Sequence, residues 1–128
     1  MVKASFNYDR EAGTMEMRMQ GHADFAKLGK DPVCAGASVV GITLAQCVDM
    51  LNEIGAMEEK PTIRISGGNV RVQCMPRPEH LGTVTAVFWE AQVGMRLLAA
   101  AYPENASVTT FETADADSIK ESSTSRTE

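Results

Sequence analysis

The chain has 128 residues, 44% of them hydrophobic, and a formal net charge of −5. A chain of that size buries one core and not two, so a single domain is expected. Residues 1–111 carry twelve acids and ten bases, and residues 112–128 carry five acids and two bases, so the charge imbalance is mostly a property of the end of the sequence. The bases are dispersed along the chain, which argues against direct nucleic-acid binding, where phosphate neutralisation needs clustered Lys and Arg.

The chain opens on two alternating runs. In "VKASFNY" Val2, Ala4, Phe6 and Tyr8 alternate with polar residues, and in "TMEMRMQ" Met15, Met17 and Met19 do the same, with "DREAG" between them. This is the period of half-buried strands and predicts a β-hairpin, its methionines filling the core. No apolar h-region occurs in the first eleven residues, so no signal peptide is expected.

From Cys34 the apolar residues Ala37, Val40, Leu44, Cys47, Val48, Leu51 and Ile54 recur at helical spacing, with Gly55 placed to end the helix. The apolar run "CAGASVVGITLAQCV" is shorter than a bilayer span and contains Ser, Thr and Gln, which fits a buried helix and no membrane contact. A second hairpin follows, "TIRIS" and "NVRVQCM" joined through "GGN". A second helix then carries Val84, Val87, Phe88, Ala91, Met95, Leu98 and Tyr102 on one stripe and stops at Pro103. Phe88 and Trp89 on it are expected to be packing residues, with an interface role as the other reading.

"ASVTTF" at 106–111 is read as a short edge strand, and residues 112–128 as a polar, disordered tail outside a domain spanning 1–111. The fold class is therefore α+β: a ββαββα two-layer sandwich, with a largely antiparallel sheet and both helices packed on one face.

The chemistry concentrates in "GHADFAKLGKDPVCAGAS", residues 21–38. Asp31 followed by Pro32 is a helix-start signal, since Asp accepts the unpaired amide hydrogens as N-cap and Pro at the first helical position needs no donor. Cys34 then falls at the third helical position. Unpaired N–H groups and the helix dipole there favour a thiolate over a thiol, and the same amides can hold an oxyanion. Asp31 opposes that charge, and a cationic His22 across the loop offsets it. In such a pair the imidazole takes the thiol proton and later returns one to the leaving amine. Ser38, one turn after Cys34, lies on the same helix face.

Cys47, on the apolar stripe, and Cys74, in a strand, read as small buried hydrophobes, and His80 as a cap or surface residue. Three cysteines without a CxxC pair indicate neither a disulfide framework nor a zinc site, so no metal and no cofactor is expected. They fit a reducing compartment, and a cytoplasmic location is expected.

This segment resembles the ribosomal-processing cysteine protease family, Prp. Gly21, His22 and Ala23 match its first element, Phe25 its aromatic, Gly29 and Asp31 its second element, and Val33, Cys34, Ala35 and Ser38 its last. Pro32 departs from the pattern, standing where an aliphatic residue is usual. The resemblance implies a homodimeric Cys/His endopeptidase that removes the N-terminal extension of large-subunit ribosomal protein number twenty-seven, through a thioester acyl-enzyme. It implies Cys34 as nucleophile and His22 as general base and acid, supported by Gly21, Gly29, Asp31 and Ser38. Asp31 has two readings, helix cap or orienting member of a triad. The readings from other classes are a noncatalytic ribosome- or protein-binding module and a redox-sensing thiol protein.

Overall fold

The computed structural model describes residues 1–21, 32–115 and 118–123, and only the backbone beyond residue 112. The elements run β1 (Val2–Asp9), β2 (Thr14–Gln20), α1 (Pro32–Glu53), β3 (Thr62–Ser66), β4 (Asn69–Cys74), α2 (Leu81–Ala101), β5 (Ala106–Asp115) and β6 (Ser118–Ser123). They form one six-stranded sheet in the order β3-β4-β2-β1-β5-β6. Every neighbouring pair is antiparallel except β1 with β5, which is parallel. The α+β sandwich with a largely antiparallel sheet is the architecture expected.

The alternation read from the sequence sets the inner face. Val2, Ala4 and Phe6, then Met15, Met17 and Met19, then Val70, Val72 and Cys74, then Ala106 and Val108 are buried together. Strand register brings Phe6 opposite Met17, and Met17 opposite Val72, so the buried positions form continuous rows across the sheet. The helices close this face with Ala37, Leu44 and Val48 from α1 and Val84, Phe88 and Met95 from α2. Close approach of the helices depends on two glycines: a Cβ at Gly36 would lie 3.1 Å from Leu98 Cδ1, and one at Gly94 3.2 Å from Val40 Cγ2.

The end of α1 follows from Gly55. With φ of +85°, Gly55 donates its N–H to Asn52 O at 3.0 Å, and Ala56 donates to Leu51 O at 3.0 Å. This pair of bonds satisfies carbonyls that the helix end leaves open, in the Schellman arrangement. At 22 residues α1 is longer than the apolar run read from the sequence, and by length and composition alone it could cross a bilayer. Its apolar residues have another use here, because Val33, Cys34, Ala37, Gly41, Leu44, Ala45 and Val48 are buried within the fold.

Two features differ from expectation. The strand starting at Ala106 is not an edge: it lies between β1 and β6, and Val2 N–H donates to Asn105 O at 2.8 Å to start the parallel pairing. Backbone pairing also continues past residue 111, to Asp115, and returns through Ser118–Ser123 against β5. A polar Ser/Thr-rich segment has no apolar period to announce a strand, but an open strand edge supplies unpaired N–H and C=O groups that it can satisfy. The second difference is Trp89, which is exposed while its neighbour Phe88 is fully buried.

Candidate active site

Cys34 is the third residue of α1, the position expected from the Asp-Pro start signal. The direction of α1 decides where in the fold that start lies. Gly41, two turns on, sits over Met19 and Val70, with a Cβ there 3.3 Å from Met19 Cε. After α1 ends, Met57 bridges Pro76, just beyond the strand end where Cys74 pairs with Met15. The helix therefore begins at the end of the sheet where β2 finishes, and runs towards the β1–β2 turn. Its first turn and the end of β2 share one edge of the molecule.

At that edge β2 leaves the sheet through Gly21. Its φ is +98°, and a Cβ there would collide with the Met1 carbonyl oxygen, so no other residue fits without moving backbone. The Gly21 N–H donates to Gly68 O at 3.1 Å, tying the exit point to the β3–β4 turn. Gly21 thus fixes the direction in which the chain departs towards His22. His22, Phe25, Gly29 and Asp31 lie outside the described residues, so the His22–Cys34 pairing and the two readings of Asp31 are not decided by the geometry.

Cys34 itself is fully buried, at 0% exposure, together with Val33 and Ala37. Ser38, one turn further along, is half-buried. No acidic residue lies in the described first turn of α1. The site is therefore a thiol beneath the surface at the positive end of a long helix, where amide hydrogens can stabilise an anion.

The other two thiols differ in kind. No disulfide joins any of the three. Cys74 is buried under the helices, and burial pushes its thiol up to about 12. Cys47 is half-buried on α1, less enclosed than its place on the apolar stripe suggested. Among the described residues no group of His, Cys, Asp or Glu could hold a metal ion. Leu98 of α2, packed on Gly36 in the second turn of α1, is a neighbour of the site that the sequence reading did not single out. Its place on the apolar stripe of α2 marked it for packing, but nothing in the pattern named its partner.

Residues 1–107 match the model of the family described as cysteine protease Prp. The chain belongs to that family. It is accordingly a cysteine protease, and the matched span contains Gly21, His22, Asp31, Cys34 and Ser38. Among solved structures it is similar to an essential ribosomal processing protease Prp from S. aureus in complex with a substrate peptide, at 24% identity and a TM-score of 0.63, covering 86% of this chain and 99% of that one. The same protease with a covalently linked product peptide gives 24% identity and a TM-score of 0.65, again over 86% and 99%. SMU.848 from Streptococcus mutans gives 21% identity and a TM-score of 0.63, over 88% and 96%. These likenesses show the shared fold. No curated protein sequence matches the chain.

Proposed function

We propose that this protease removes the N-terminal extension of large-subunit ribosomal protein number twenty-seven, with Cys34 as nucleophile and His22 as its base. The observation that carries the reading is the place of Cys34 at the third residue of α1, within the span matched by the family. His22 takes the Sγ proton as sulfur bonds to the scissile carbonyl carbon, and helix-start amides hold the oxyanion. The C–N bond then breaks, the amine leaves with the proton from His22, and water hydrolyses the thioester to a new carboxylate. Gly21 and Gly29 shape the connecting segment, and Asp31 and Ser38 support the pair. The S. aureus protease in complex with a substrate peptide supports a ribosomal substrate of peptide type.

Burial of Cys34 adds a condition: peptide binding has to expose its Sγ before acylation. The protein works as a cytoplasmic homodimer in this reading. Support for a second copy comes from apolar residues left exposed on both helices, among them Val39, Met50, Val93 and Leu97.

The test is a mass spectrum of extension-bearing ribosomal protein before and after incubation with the chain. One new mass, shorter by the extension and absent with Cys34→Ala, is expected. An unchanged spectrum with a stoichiometrically alkylated Cys34 would favour a redox-sensing thiol, and an unchanged spectrum with an inert Cys34 a binding module.

A further inference from the structure

Beside the β1–β2 turn, a cavity of about 650 Å³ opens between β1, β5 and the face of α2 from Leu81 to Arg96. That volume is in the range of small-molecule sites, which combine an apolar lining with a few convergent polar groups. Tyr8 continues the inward alternation of β1 and packs its ring edge-on against Phe88, with centroids 6.4 Å apart. Its hydroxyl donates to Gln92 Oε1 at 2.5 Å. Gln92 is buried, and with Oε1 committed to Tyr8 what it can still offer is its NH2 group. Burial lifts the Tyr8 phenol well above its usual range; the Arg96 charge opposes that shift and Glu112 adds to it, which places all three within electrostatic reach.

Arg96 is the group without an account. Its Nε is buried with no hydrogen-bond partner, and no ion pair joins it among the described residues. A guanidinium keeps its charge in any surroundings, so burying part of it unpaired carries a cost that a bound anion would offset. The acids that line the cavity are already engaged. Glu112 accepts from Arg10 at 3.1 Å, and Asp9 Oδ1 accepts the Ala12 N–H at 3.0 Å within the hairpin turn. Arg96 is thus the arginine of the lining with no partner among the described residues. The lining's two arginines and two carboxylates balance, so nothing calls for a doubly charged ligand, and Asp9 and Glu112 would repel a second negative charge: the site fits a monoanion and not a dianion.

The rest of the lining is apolar. Trp89 and Leu81 are about half exposed or more, at 59% and 49%, and Met15 closes the sheet side. An exposed tryptophan at the mouth of a concave site is an amphipathic contact surface that the protein's own core does not use.

We propose that this cavity binds a small organic monocarboxylate, its carboxylate held by Arg96 and the Gln92 amide and its aryl or alkyl body lying against Trp89, Leu81 and Met15. The bidentate fork of arginine matches a carboxylate, and the Tyr8–Gln92 bond holds the amide in place to help orient it. Neither Cys34 nor any other residue of α1 lines the cavity, so the inference does not rest on the substrate assigned to Cys34.

Trp89 is the chain's single tryptophan, so its fluorescence reports the site directly. The experiment titrates the full chain with 4-phenylbutyrate, with its neutral isostere 4-phenylbutanamide and with inorganic phosphate. A saturable change with the carboxylate below about 1 mM is expected, at least about tenfold weaker for the amide and for phosphate. Arg96→Gln should weaken the carboxylate by about tenfold or more and bring it level with the amide. If that variant does not fold, the comparison of carboxylate with amide on the unaltered chain decides. No saturation by the carboxylate, equal binding of the amide, tighter binding of phosphate, or undiminished affinity in a folded Arg96→Gln protein would each overturn the proposal.

Discussion

Replacing Gly21 by alanine should damage both stability and turnover, and two other glycines separate the causes. At Gly67 there is neither a positive φ nor any atom within 4 Å of an added Cβ, so Gly67→Ala should be close to neutral. At Gly55 φ is +85° with nothing within 4 Å, so Gly55→Ala isolates the left-handed backbone penalty, about 1–2 kcal/mol. Gly21 adds to that penalty a collision of the new Cβ with the Met1 carbonyl oxygen. Relief requires the start of β1 and the end of β2 to separate, which endangers the Gly21 N–H to Gly68 bond and the Val2 N–H to Asn105 bond, about 1 kcal/mol each. Met1 has no element before it and can move, so the total should be about 2–4 kcal/mol, a fall in Tm of roughly 10 °C for a chain of this size. Urea unfolding of the three variants measures the series. Peptide cleavage by Gly21→Ala should drop further than its folded fraction explains, because His22 follows directly on the distorted residue. A Gly21→Ala protein no less stable than Gly55→Ala would refute the reasoning, since the close contact would then carry no cost.

Cys74 should be silent to a thiol reagent at pH 7.5 in the folded protein: with its thiol pushed up to about 12, its thiolate fraction is roughly three orders of magnitude below that of an ordinary thiol. The same burial makes folding pH-dependent. The contribution is intact below the ordinary thiol range near 8.5 and is lost as pH rises towards 12, so Cys74→Ala should flatten the alkaline fall of urea-measured stability; an unchanged slope would contradict the assignment. Cys34→Ala should cost only about 1–2 kcal/mol, since one sulfur is removed from a buried site, while abolishing cleavage; a variant that unfolds would show a structural role instead. Asp31→Asn should be nearly neutral in turnover if Asp31 is the cap of α1, because Asn caps as well, whereas a loss of several orders of magnitude at unchanged Tm would make it the orienting member of a triad.

Much of this protein is legible one residue at a time. Alternation in Val2–Tyr8 and Met15–Met19 named the strands and which face they bury, because a strand's side chains have a period of two and only one face meets the core. The helical spacing from Cys34 to Ile54, with Asp31-Pro32 before it and Gly55 after it, named α1 and put Cys34 in its first turn, because caps are local chemistry. The family signature ran through the same few residues. What local pattern could not supply was partnership across the chain. β5 pairs in parallel with β1 only because α2 returns it to that edge, and no feature of "ASVTTF" names its neighbour. The burial of Cys34 is a property of everything packed round it, so a helix-start position that marked a nucleophile said nothing of its cover. Arg96, Gln92 and Tyr8 lie up to 88 residues apart and meet only because α2 crosses the inner face of β1. Charge left unpaired by that meeting is decided by tertiary packing, since a sequence records which groups a protein has and not which of them are already engaged.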